Sequence, residues 1–286
     1  MFTGRQGELG QLSRAIESTR SGQGQTVLVS GESGIGKSRL VIEALDNSGL
    51  LVLRGRSREG TTPPYGPLAA ALREYLVRFG QEVIDDLPYA ASLGFVLPEL
   101  GKPEPTEDFD TVVNAVASLL DRAGHRQPMA VVIEDLHWSD NASLELLADL
   151  ADRIRTSRVI LIGTYRSDEV SRQHPVRRLR SELRRGRLLH EISLSPLYRE
   201  DVAAILEHEL DGKPSPELVE LVCERSQGIP LYAEELVRSM VDRRLLMSGD
   251  DGMKLMTDHS VPIPEGVRDS VLLRVDSLAP EARTLV

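Results

Sequence analysis

The chain has 286 residues, 41% hydrophobic and 27% charged, with 34 Lys and Arg against 44 Asp and Glu, a formal charge of −10. That is the balance of a soluble globular chain long enough to bury a core, and it excludes the basic footprint needed to grip nucleic acid. Aromatic residues make up only 4%, which excludes a base-stacking platform and leaves the core to Leu, Val, Ile and Ala.

The opening MFTGRQGELGQL has no apolar leader, and no stretch reaches the roughly 18 apolar residues of a membrane span, so a cytoplasmic protein is expected. Residues 8–20 read as an amphipathic helix with Leu9, Leu12 and Ile16 on one face. After the turn signal SGQGQ, the β-branched run TVLVS at 26–30 suits a buried parallel strand. A Gly-rich loop leads into a helix at about 37–46, and LLVLRG at 50–55 reads as a second strand. A loop rich in Gly, Thr and Pro fills 56–67. Helical patterns follow at 68–79 and about 108–122, separated by a Pro-broken stretch with no period to assign. MAVVIED at 129–135 is a third strand, 146–154 a helix, VILIGTY at 159–165 a fourth strand and HEISL at 190–194 a fifth. Strands alternating with helices predict a doubly wound α/β sheet. The arginine-dense run from Arg172 to Arg187 reads as a solvated helix face, ahead of a docking surface for an acidic partner or an arginine finger.

The character changes after Pro196. Residues 199–210, 215–226 and 231–244 carry helical periodicity. Cys223, the one cysteine, falls among Leu218, Val219, Leu221 and Val222, so it reads as a buried helix residue, with no internal disulfide or metal site. A hairpin around GDDG is predicted at 245–256, then a linker at 260–264 and a further helix at 265–277. No internal repeat is present.

Three motifs carry chemistry. GESGIGKS at 31–38 fits G-x-x-x-x-G-K-[ST] and lies between a predicted strand and a predicted helix. Gly31, Gly34 and Gly36 let the backbone curl so that successive N–H groups from Ser33, Gly34, Ile35, Gly36, Lys37, Ser38 and Arg39 face phosphates. The helix opening near Lys37 adds its positive end. Lys37 is placed to reach the β- and γ-phosphates, and Ser38 to put its hydroxyl on Mg²⁺. The second motif, VVIEDLHWSD at 131–140, is an apolar strand ending in two carboxylates. Glu134 is assigned to the metal shell and Asp135 to activation of the attacking water, with the two roles open to exchange. The third, GTYRSDE at 163–169, puts Arg166 just past the fourth strand, where a guanidinium would sense a terminal phosphate. His137 and Trp138 read as packing beneath the loop.

Together, FTGRQGELGQL, GESGIGKSRL, PPYGP, VVIEDLHWSD, GTYR, LSPLYREDV and GIPLYAEEL, in that order, resemble the nucleotide-binding module of signal-transduction ATPases with numerous domains (STAND), a branch of the AAA+ group. Within it, the likeness is to the large ATP-binding regulators of the LuxR family, and it covers nearly the whole chain. VPIPEGVRDSVLLRVDSLAPEARTLV resembles that family's entry into a winged helix. The resemblance implies a three-layered α/β P-loop domain over 1–195 with strand order 5-1-4-3-2, a helical lid with hairpin over 196–262, and the truncated start of a winged-helix domain over 263–286. It places Arg5 and the backbone of Phe2 and Thr3 near the adenine or phosphates, and presses Pro230, from Gly228-Ile229-Pro230, on the adenine. It further implies ATP and ADP with Mg²⁺ as cofactors, and slow hydrolysis that switches a multidomain bacterial transcriptional regulator. The partners implied are other domains of the same full-length chain, with DNA reached only through a C-terminal domain beyond this sequence and no membrane. Nucleotide-dependent self-association stays open. The alternatives are a module regulating a fused nucleotide cyclase or kinase, an AAA+ initiator or motor-type ATPase, and a scaffold with a dead site, against which Lys37, Ser38 and the two acids argue.

Overall fold

The computed structural model describes residues 2–60, 63–101, 108–249 and 251–256. The chain separates into two compact units. Of the described residues, one unit holds those within 6–32 and 37–194, and the other holds 2–5, 33–36 and those within 195–256. The linker and winged-helix segment expected at 260–286 lie outside the described residues.

The first unit is built on five parallel strands: β1 (Gln25–Gly31), β2 (Leu51–Arg56), β3 (Met129–Glu134), β4 (Val159–Arg166) and β5 (Leu189–Ser193). Their order is β2-β3-β4-β1-β5, the expected order read from the opposite edge. β3 and β4 are buried along almost their whole length, which is why they read as unbroken apolar runs rather than as alternating ones. The covering helices are α1 (Gln6–Arg20), α2 (Lys37–Leu45), α3 (Gly66–Phe79), α4 (Phe109–Arg126), α5 (Asn141–Arg153) and α6 (Pro175–Arg185). α4 buries Val112, Val113, Val116, Leu119 and Leu120, each contributing about 1.5–3 kcal/mol of hydrophobic stabilisation.

Local chemistry explains where the elements depart from the expected bounds. α5 starts at Asn141 rather than 146 because Asp140 caps it, accepting from the Ser143 N–H at 2.9 Å. α6 buries only Val176, Leu179 and Leu183, one stripe on an otherwise arginine-coated helix. The unassigned stretch contains 3₁₀ turns at Gln81–Ile84, Ala90–Phe95 and Pro98–Leu100, with Leu93 and Leu97 buried. Turns this short show no period.

Gly55, on β2, marks a close approach of helix and sheet. A Cβ built there would sit 1.9 Å from the carbonyl oxygen of Pro67, in the first turn of α3. Gly55→Ala therefore has to push α3 off the sheet. A loss of about 1–3 kcal/mol is expected, read as a lower urea midpoint; an unchanged midpoint would show that α3 yields freely.

The second unit contains α7 (Arg199–Leu210), α8 (Pro216–Ser226), α9 (Pro230–Asp242) and a two-stranded antiparallel hairpin, β6 (Leu246–Gly249) with β7 (Gly252–Leu255). Val202, Leu206, Val222, Leu236, Val237 and Met240 form its core. Cys223 lies on α8 but is half-buried rather than fully buried, since it flanks that core instead of entering it. Among the described residues no helix is long and apolar enough to cross a membrane.

Candidate functional site

Sheet register decides which loops meet. Gly31, the last residue of β1, pairs with Arg166, the last residue of β4, and Ser167 N–H donates to Gly31 O at 3.3 Å. β4 in turn pairs with β3, Ile133 opposite Gly163. The carboxyl ends of β1, β4 and β3 therefore run side by side, the position at which open α/β sheets hold ligands.

From Gly31 the chain turns through Glu32–Gly36 into α2. Gly34 and Gly36 have φ of 74° and 101°, a region that side-chain-bearing residues avoid. Lys37 opens α2 and is 9% exposed. Its Nζ donates to the carbonyls of Gly31 at 2.8 Å and Glu32 at 2.7 Å. Burial first and the charge of Arg166 second lower its pKa to about 8, against the upward pull of Asp168, Asp135 and Glu169. The loop thus folds around a desolvated ammonium that a phosphate would compensate. Ser38 and Arg39 follow on the exposed face of the first turn of α2, and Ile35 is buried.

The two strand-end acids have different surroundings. Asp135 is 8% exposed and left-handed, φ 59°. Its N–H donates to Thr164 Oγ1 at 3.3 Å, and its Oδ2 accepts from Arg56 Nε at 2.9 Å. It lies within the charge field of Lys37. Glu134 is half-buried and its Oε1 is 3.8 Å from Arg54 of β2.

Arg166 is held on several sides. Its Nη1 is 2.5 Å from Glu169 Oε1, and its guanidinium carbon lies 5.0 Å from the Trp138 ring centroid. Its backbone N–H donates to His137 Nδ1 at 3.4 Å. That contact leaves the imidazole hydrogen on Nε2, which is 3.3 Å from Glu169 Oε2 but lacks an aligned acceptor. Burial pushes the His137 pKa down to about 4, against the pull of Glu169 and Asp135, so the ring is neutral at pH 7. His137 is the buried member of the pair; Trp138 is half-buried beside Arg166.

In the second unit, the N-terminal segment, the tip of the Gly-rich loop and the start of α9 come together. Arg5, with φ 73°, donates from Nη2 to Ile35 O at 3.4 Å. Leu231 N–H donates to Gly34 O at 3.3 Å. A Cβ at Gly34 would lie 3.1 Å from that of Leu231, a second reason for glycine there. Pro230 occupies the first turn of α9, where its missing N–H costs nothing. Phe2, Thr3 and Ser33 are half-buried. Thr3 Oγ1 is buried and has no hydrogen-bond partner among the described residues.

The expected site residues therefore fall into two sets, Lys37, Asp135 and Arg166 in one unit, and Arg5, Gly34, Ile35 and Pro230 in the other. Arg56, Thr164 and Glu169 were missed. Glu169 stood three residues after Arg166 in the quoted motif and could have been found there. Arg56 needed the β2–β3 register.

Within the first unit, the buried ammonium of Lys37 beside two strand-end carboxylates fits a phosphate group with its cation; within the second, Thr3 carries an orphaned hydroxyl. Among the described residues no three His, Cys, Asp or Glu converge on a metal cage. A Mg²⁺ ion here would rely on one or two protein oxygens plus phosphate oxygens, which is its usual habit.

The chain is 28% identical over 267 residues to an uncharacterized protein of Rhizobium meliloti (strain 1021), the match covering 81% of this chain and 24% of that one. The chain thus spans about a quarter of the length of that relative. Among solved structures it is similar to a Walker-type ATPase of Pyrococcus abyssi, at a TM-score of 0.56 and 14% identity, covering 99% of this chain and 75% of that one; at that identity the likeness is one of fold. The sequence model of the AAA ATPase domain matches residues 1–162, more than half of the chain, and the protein belongs to that family.

Proposed function

We propose that this AAA ATPase module binds ATP with Mg²⁺, hydrolyses it slowly, and acts as a nucleotide switch within a larger bacterial transcriptional regulator of the LuxR type. The observation that carries the nucleotide reading is Lys37, a desolvated cation on the Gly-rich loop sharing its charge field with Asp135 and Arg166. Lys37 and the N–H groups of Ser33–Ser38 bind phosphates, Ser38 and Glu134 hold the metal, and Asp135 orients and deprotonates water. Bound Mg²⁺ supplies charge neutralisation on the phosphates. Arg166 senses the terminal phosphate, and Phe2, Thr3, Arg5 and Pro230 receive the base. The regulatory setting rests on the motif order along the chain and on the much greater length of the Rhizobium relative, which leaves room for effector domains.

The test of the switch is a distance between probes on residues 120–125 and 239–244 of the full-length protein, taken with ADP and with a non-hydrolysable ATP analogue. A nucleotide-dependent difference is expected, because a ligand shifts an equilibrium only through differential affinity for its states. Identical distances with bound nucleotide would reduce ATP to a structural cofactor. Steady turnover by a closed ring would favour the motor-type alternative.

A further inference from the structure

The guanidinium assigned to the terminal phosphate already has a partner. Arg166 Nη1 meets Glu169 Oε1 at 2.5 Å, so that N–H is not available to a phosphate oxygen, and the carboxylate charge opposes one brought to the same place. The other oxygen of Glu169 lies 3.3 Å from His137 Nε2. That second contact is not an aligned hydrogen bond and the imidazole is neutral, so Glu169, on the loop where the chain leaves β4, is held by Arg166 with His137 beside it. Around Lys37 the charges are two cations, Lys37 and Arg166, against three carboxylates, Asp135, Asp168 and Glu169. A polyanion entering this field has to displace or neutralise negative charge. Glu169 is more easily displaced than Asp135, its side chain being 35% exposed against 11%. The guanidinium carbon lies over the Trp138 ring at 5.0 Å, an attraction that uses none of the guanidinium N–H groups as hydrogen-bond donors to a carboxylate or phosphate.

We propose that Glu169 competes with the terminal phosphate of the nucleotide for Arg166, and so sets how strongly the site prefers a triphosphate to a diphosphate. This rests on the nucleotide reading above. A diphosphate leaves the Arg166–Glu169 pair intact. A triphosphate breaks it, and the released carboxylate keeps the His137 Nε2–H beside it.

The experiment is calorimetric titration of the chain with ADP and with a non-hydrolysable ATP analogue, each with Mg²⁺. Glu169→Gln should tighten the analogue about ten-fold, since one charge-assisted contact no longer has a rival, and should change ADP by no more than about two-fold. Glu169→Asp, which keeps the charge, should restore most of the original ratio. On an Arg166→Ala background, Glu169→Gln should leave the ratio unmoved. Equal tightening of both ligands would mean general charge relief and would overturn the proposal, as would a ratio change that persists without Arg166. Should the Gln variant not fold, Glu169→Ala gives the same readout. If the unaltered chain binds neither nucleotide, the functional reading fails as well; if it binds both and the ratio is the same in Glu169→Gln, only the role of Glu169 is lost.

Discussion

Lys37→Ala is expected to abolish ATP binding at working concentrations. Its ammonium serves two carbonyls of its own loop, Gly31 and Glu32, and is desolvated enough that its pKa falls to about 8. A phosphate facing it would gain charge-assisted contacts worth about 2–4 kcal/mol, or roughly 30- to 700-fold in affinity. The fold should survive. Alanine leaves two carbonyls short of a donor but also removes the burial penalty of the charge, and these effects oppose one another. Melting curves with and without ATP separate binding from folding, because a ligand specific to the native state raises its melting temperature. The parent should rise and the variant should not. An equal ATP-induced rise in both would falsify the placement of Lys37 at the phosphates.

Asp135→Asn is expected to cut hydrolysis by about 10²-fold or more while changing nucleotide affinity only a few-fold, the loss typical of a missing general base. Asp135 is the better placed of the two acids for this, being buried, fixed through Thr164 and Arg56, and inside the field of Lys37. Glu134→Gln should instead raise the Mg²⁺ concentration needed for half-maximal turnover. Single-turnover assays across a Mg²⁺ series distinguish the two. Normal turnover in Asp135→Asn together with an inert Glu134→Gln would exchange the roles.

The middle of the sheet was legible because β1, β3 and β4 are buried on both faces, so that each wrote itself as an apolar run between turn signals; the edge strands β2 and β5 are partly exposed and carry polar residues. α4 was legible because a wide stripe repeats along it. α6 was harder: its arginines outweigh three buried residues, and only the docked helix shows that Val176, Leu179 and Leu183 form a face. The 3₁₀ turns between Gln81 and Leu100 have no periodic signature. At the site, the Gly-rich loop carries its chemistry in consecutive residues and could be read directly. The partnership of Arg56 with Asp135 could not, because it joins residues 79 apart that meet only through the β2–β3 register. Glu169 was visible but looked like ordinary loop acidity until Arg166 and His137 were placed beside it.

The strand order has one more consequence, for the growing chain. β1 precedes the other four strands of its sheet, yet its neighbours among the described residues are β4 and β5: Gln25 waits for Ile160, and Thr26 for Leu189. At ~5–20 residues per second, the ribosome needs roughly 7–27 s to travel from β1 to β4. During that interval Val27, Leu28 and Val29, fully enclosed in the finished sheet, have no strand beside them, whereas β2 gains β3 much sooner. Of the five strands of the sheet, the one that carries the Gly-rich loop thus waits longest for a partner, and it is the strand a chaperone would find exposed for longest.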